Sequence, residues 1–216
     1  MRRKILTIVT LLVMISELAC QNHKPDLFLK LKNGIELKAK PAYPDQDNTT
    51  FNYLEIFQNG KMIFKDTTLT EYILENSLYP KLYDFKNHFE LLIEIDNRPN
   101  KNEIYKFLIE NNKLVKIDTL PTFLTIPKDL DNDKKLEYAG FWDYVAVWGD
   151  SIKVTDYNPI VFYEITKNGI TLDSLTTIIV NTNIYGKFYG FYINENVEIP
   201  YKDSKFSMEI KKILNE

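Results

Sequence analysis

The sequence predicts a mainly β fold, an antiparallel meander of hairpins, and three observations point there. Apolar and polar residues alternate with period two in several stretches, the spacing that lays one strand face on a core and the other in water. Asn-Gly pairs punctuate those stretches, and Asn-Gly accepts the positive φ angles of the tight turns that join paired strands. Fourteen tyrosines and thirteen phenylalanines supply side chains suited to pleated surfaces. The hairpins are expected either as small or incomplete propeller-like blades or as a two-sheet β-sandwich.

The 216 residues divide into three parts. Residues 1–19 read as an export signal. Arg2, Arg3 and Lys4 make a positive start, and Ile5 to Ile15 is an apolar stretch too short to span a bilayer as a mature helix. Residues 20–25 read as a polar tether. Residues 26–216 read as a single β domain, without a long linker, a low-complexity tract or a shift in composition. The run Ser16-Glu17-Leu18-Ala19-Cys20 puts a small residue directly before a cysteine. It resembles the lipobox of bacterial lipoproteins, with Glu17 standing where that family usually has Leu. The resemblance implies cleavage before Cys20, acylation of its thiol and membrane attachment through the lipid. Cys20 is the only cysteine, so an exported chain has no disulfide framework and acylation accounts for the odd thiol. No Asp follows Cys20, which under the enterobacterial sorting rule implies the outer membrane, periplasmic side.

Cleavage there removes Arg2, Arg3, Lys4 and Glu17. The 27 basic and 30 acidic residues become 24 and 29, a net charge of −5, with Arg98 as the sole arginine. So acidic a chain lacks the basic stripe that nucleic acid requires, and nucleic acid is excluded as a partner.

Along the domain, strands are expected at Asp26–Leu31, Tyr53–Phe57, Leu91–Ile95 and Phe206–Ile210. Turns are expected at Asn33-Gly34, Asn59-Gly60, Asn111-Asn112 and Asn168-Gly169, and a polar turn at Arg98–Asn102. Three hairpins look alike: Tyr53–Leu69, Tyr105–Leu120 and Val161–Leu175. Each is an aromatic-rich strand, an Asn turn, a second strand and then Asp-Thr/Ser-Leu, at a spacing that suits a degenerate repeat. One segment breaks the pattern: Thr70–Ser77 predicts two helical turns capped by Thr68 or Thr70.

The most specific motif is Asp129-Leu130-Asp131-Asn132-Asp133-Lys134-Lys135-Leu136-Glu137. Alternating oxygens on a curled loop suit Ca²⁺, which takes six to eight hard oxygen ligands. The predicted set is the side chains of Asp129, Asp131, Asp133 and Glu137 and the backbone carbonyl of Lys135, with Asp143 and Asp150 near enough in sequence to serve as outer ligands. Four carboxylates this close repel one another without a cation. An EF-hand is disfavoured: its twelfth position requires a bidentate Glu, and Gly140 stands there. The flanks, Thr122–Ile126 and Leu136–Phe141, read as strands. The stretch resembles the calcium loops of FG-GAP and VCBS-type β repeats. That resemblance implies the same four side-chain ligands, with Lys134 replacing the usual Gly at the position that favours left-handed φ.

No catalytic constellation is legible. The only histidines are His23, in the tether, and His88, so a zinc site or a triad would have to use His88 alone, and no G-x-S-x-G, H-E-x-x-H or P-loop pattern occurs. Aromatic residues cluster after the acidic loop. They read first as fillers of a small β core and its cross-strand pairs, with Trp142, Tyr144 and Trp148 as the candidate binding surface for a protein or glycan partner. The chain therefore reads as a non-enzymatic, lipid-anchored envelope protein with one structural Ca²⁺ that binds or scaffolds. The alternatives are a periplasmic inhibitor or immunity-type protein, and a carbohydrate-processing enzyme with two carboxylates roughly 5–9.5 Å apart.

Overall fold

The computed structural model describes residues 26–44, 50–76, 78–131, 133–144, 146–200 and 203–214. The export signal, Cys20 and the tether with His23 lie outside the described residues. Fourteen strands and two α-helices follow in order: β1 (Leu27–Lys30), β2 (Ile35–Pro41), β3 (Thr50–Gln58), β4 (Lys61–Lys65), β5 (Glu71–Ile73), β6 (Lys81–Phe85), β7 (His88–Asp96), β8 (Glu103–Glu110), β9 (Lys113–Pro121), β10 (Leu136–Phe141), β11 (Val154–Tyr157), β12 (Ile160–Thr166), β13 (Gly169–Asp173), α1 (Ser174–Tyr185), β14 (Asn194–Pro200) and α2 (Asp203–Leu214).

The chain is mainly β and antiparallel. β1 to β9 form one nine-stranded sheet, β10, β12 and β13 a second, and β11 and β14 a third. Asn59-Gly60 and Asn111-Asn112 make the predicted two-residue turns, with φ of 50° and 77°, and of 51° and 56°. The third turn falls one residue early. Lys167-Asn168 makes it, and Gly169, at φ 126°, already pairs with Thr166. All three look-alike hairpins form, as β3-β4, β8-β9 and β12-β13. Two of them share the large sheet, so they are not the leading halves of separate blades.

Alternation explains how the sheets stack. In the large sheet, Ile35, Leu37, Phe51, Leu54 and Ile56 of β2 and β3 share one core with Leu91, Ile93, Phe107 and Ile109 of β7 and β8. The sheet is therefore folded over on itself, β1–β4 facing β6–β9, with the short β5 joined to both β3 and β7. Leu92 and Ile104 point the other way. They meet Tyr138, Val161, Tyr163 and Ile170 of the second sheet. That sheet's far side, Ala139, Ile160 and Phe162, packs against Ile184 of α1 and Ile213 of α2. Four layers result. Strands β7 and β12 are covered on both faces, which is why Leu91-Leu92-Ile93 and Ile160–Tyr163 are unbroken apolar runs. Each fully buried Leu, Ile or Phe contributes about 1.5–3 kcal/mol.

Three predicted elements are corrected. Of the predicted helix Thr70–Ser77, the described part, residues 70–76, is not helical. Its centre is β5, because Tyr72 (1% exposed) fills the folded-over core while its backbone bridges two strands. Phe206–Ile210 is not a strand but lies in α2, where Phe206, Ile210 and Ile213 present one helical face to the second sheet. Thr122–Ile126 is not a strand either. Phe123 makes a single bridge to Gly140 and stacks on Tyr138 at 4.1 Å. The Thr122 carbonyl approaches Gly140 so closely that a Cβ there would collide with it.

Candidate metal centre

The acidic loop is clamped at its base. Lys128 and Glu137 exchange backbone hydrogen bonds, N–H to carbonyl, at 3.0 and 2.6 Å. Between them the aspartates curl the chain by accepting backbone N–H groups. The Asp133 amide donates to Asp131 Oδ1 at 3.1 Å, the Lys134 amide to Asp129 Oδ2 at 3.2 Å and the Lys135 amide to Asp133 Oδ1 at 2.8 Å. Lys134 takes φ 73°, the left-handed conformation for which the sequence pattern wants Gly. For a side chain with a Cβ that costs about 1–2 kcal/mol. Leu130 turns inward and packs against the core beneath the helices.

Carboxylate oxygens of Asp129, Asp131 and Glu137 come within 4.8 Å of one another. Asp129 and Asp131 are exposed, while Glu137 is 1% exposed. Glu137 Oε2 accepts the Leu130 amide at 2.7 Å. Burial pushes the Glu137 carboxyl up to about 7. The charges of Asp131, Asp133 and Asp129 push the same way, and the Leu130 amide opposes them. Such a carboxylate invites either a proton or a cation.

Asp133, the other predicted carboxylate, does not join the cluster. Its Oδ2 pairs with Lys135 Nζ at 2.9 Å, and Lys135 Nζ also reaches Glu164 Oε1 at 2.9 Å. These contacts lower the Asp133 carboxyl and raise the Lys135 ammonium. Lys135 therefore braces the loop against β12 with its side chain, a use the sequence reading did not assign. Nor did it find Thr176, whose hydroxyl donates to Asp131 Oδ2 at 3.3 Å from the first turn of α1. Thr176 lies 45 residues from Asp131, and only the fold joins them. Asp143 serves elsewhere: its Oδ1 accepts the Lys101 amide at 3.1 Å and the Tyr144 amide at 2.7 Å. Neither Asp143 nor Asp150 belongs to the carboxylate group.

The donor set fits a hard cation. Three carboxylates offer three or more oxygens, with further ligands left to backbone carbonyls or water, and no sulfur or imidazole belongs to the group to favour a softer metal.

The predicted aromatic surface is dispersed. Trp142 is half-buried, donates its indole N–H to the Phe191 carbonyl at 2.8 Å and lies 5.1 Å from the Tyr192 ring. Tyr144 and Trp148 are exposed, and no ring contact joins the three among the described residues. His88 sits between the first two sheets, with Nε2 3.6 Å from Glu90 Oε1. Glu90 accepts the Ile170 amide at 2.9 Å and lies 3.5 Å from Lys106 Nζ, which donates to the Ile170 carbonyl. This is a polar latch between layers. No protein-family model, no curated protein and no solved structure matches this chain.

Proposed function

We propose that the chain is a lipid-anchored envelope protein, attached through Cys20, that binds or scaffolds rather than catalyses. Its β layers are pinned by one Ca²⁺ at Asp129, Asp131 and Glu137. The observation that carries the calcium site is Glu137, a buried carboxylate gathered with two others on a loop clamped at its base. The lipobox-like Ser16–Cys20 run supports the anchor. A cation there ties the loop to β10 and, through the Thr176 contact to Asp131, to the start of α1. The ion is structural: it offsets carboxylate repulsion and holds backbone in place.

Calorimetric titration of Ca²⁺ into chelator-stripped protein, with melting curves alongside, tests this. One saturable site and a raised melting midpoint are expected, both lost in Asp131→Ala. If Asp131→Ala melts as the parent does, with millimolar Ca²⁺ and with chelator alike, the cluster is an acidic turn and not a calcium site.

A further inference from the structure

The outer face of β1 to β4 gathers cations and exposed rings on an otherwise acidic chain. Phe28 lies opposite Lys38, Lys38 opposite Glu55, and Glu55 opposite Lys65. Lys38 Nζ stands 5.5 Å from the centre of the Phe28 ring and 4.6 Å from that of Phe57. Lys65 pairs with Glu55 at 2.9 Å and Lys30 with Glu36 at 3.7 Å. Lys38 and Lys40 have no carboxylate partner among the described residues. An open groove of about 420 Å³ runs across this face between Phe28, Lys38, Lys40, Tyr53 and Lys65, with Asp26 and Glu55 as its acids.

Tyr53 sets this groove apart. It has φ 53° in the middle of β3, at a bulge where Tyr53 and Leu54 together face the one residue of β2 between Lys38 and Lys40. A bulky side chain in that region costs about 1–2 kcal/mol. The kink leaves the ring 42% exposed, lining the groove beside Phe28 at 47%. Strain held at an exposed position stabilises no core and points to function.

Chain length limits what this face can meet. Leu27 follows Cys20 by seven positions, a span of at most about 24 Å when fully extended. An acyl group on Cys20 therefore keeps β1 beside the bilayer. Anionic lipid attracts each nearby lysine by about 1 kcal/mol, and aromatic rings favour the headgroup level. The mature chain, at a net −5, is otherwise repelled by such a surface.

We propose that the outer face of β1–β4 is the membrane-contacting surface. Lys38 and Lys40 take the phosphates of anionic lipid headgroups, while Phe28 and Tyr53 enter the interface. The geometry rests on the acylation of Cys20 proposed above.

The test is lysine labelling of the full chain, isolated from membranes and reconstituted on vesicles of phosphatidylcholine alone or of an equal mixture with phosphatidylglycerol. A water-soluble acylating reagent reports each lysine by mass spectrometry. Lys38 and Lys40 are expected to react about fivefold more slowly on the anionic vesicles, while Lys113 and Lys116 of β9 react alike on both. High salt should erase the difference, and K38Q/K40Q should erase the matching protection of Lys65. Equal labelling of Lys38 on both vesicles overturns the proposal. The same spectra show whether Cys20 carries an acyl group. An acylated chain without headgroup-dependent protection keeps the anchor and overturns the face. Protection that persists on a chain lacking the acyl group keeps the face and overturns the anchor.

Discussion

Glu137 is a carboxylate buried to 1% exposure beside two others. Its carboxyl moves from an ordinary value of 4.5 up to about 7 in the fold, chiefly through burial. The native state therefore holds this proton more tightly than the unfolded chain does. In the cation-free protein the contribution is full below about pH 4.5 and is lost as pH rises toward 7, by roughly 3 kcal/mol. Urea unfolding at a series of pH values checks this. Glu137→Gln should flatten that part of the profile, and saturating Ca²⁺ should reverse it, because the ion holds the ionised form. An unchanged profile in Glu137→Gln rules the effect out. The spacing of Asp129, Asp131 and Glu137 made the cluster legible in the sequence. The diversion of Asp133 to Lys135 was not, since it depends on Glu164 arriving from another strand.

At the level of elements, α1 shows why helices were harder to read than hairpins. Its run Thr176-Thr177-Ile178-Ile179-Val180 is rich in β-branched residues, which favour strands. The helix forms because Asp173 caps its start, accepting the Thr176 amide at 3.0 Å, and Gly186 ends it at φ 81°. It also completes β12. Asn181 accepts the Ile160 amide at 2.9 Å and donates to the Ile160 carbonyl at 2.7 Å, and the Thr177 hydroxyl accepts the Phe162 amide at 3.0 Å. Two buried side chains thus stand in for a missing strand. Asn181→Leu leaves both Ile160 groups unpaired and is expected to cost about 2–4 kcal/mol in urea unfolding. A cost under about 1 kcal/mol means that water takes over the pairing. The misreading of α2 has a similar cause. Phe206, Met208 and Ile210 fit a strand, but Phe206, Ile210 and Ile213 fit a helix, and packing decides for the second set: Met208 is 60% exposed.

Across the whole molecule, the four-layer stack was invisible in a single sequence because its contacts are remote. The latch between the first two sheets is an example. Glu90 and Ile170 are 80 residues apart, and Lys106 and Ile170 are 64 apart. Removing one partner of a buried ion pair costs about 3–5 kcal/mol. Lys106→Met should fall near the lower end of that range, since the Ile170 amide and His88 still face Glu90. Adding Glu90→Gln should then cost at least about 1 kcal/mol less than additivity requires. A strictly additive pair shows that the latch does not couple the layers. The stack also constrains the order in which the chain matures. Residues 26–121 complete both halves of the folded-over sheet, yet leave Leu92, Ile104 and Leu120 bare on its back until β10 to β13 arrive. A chain that emerges N-terminus first therefore passes through a half-built stage with that apolar back exposed, the kind of stage at which chains aggregate.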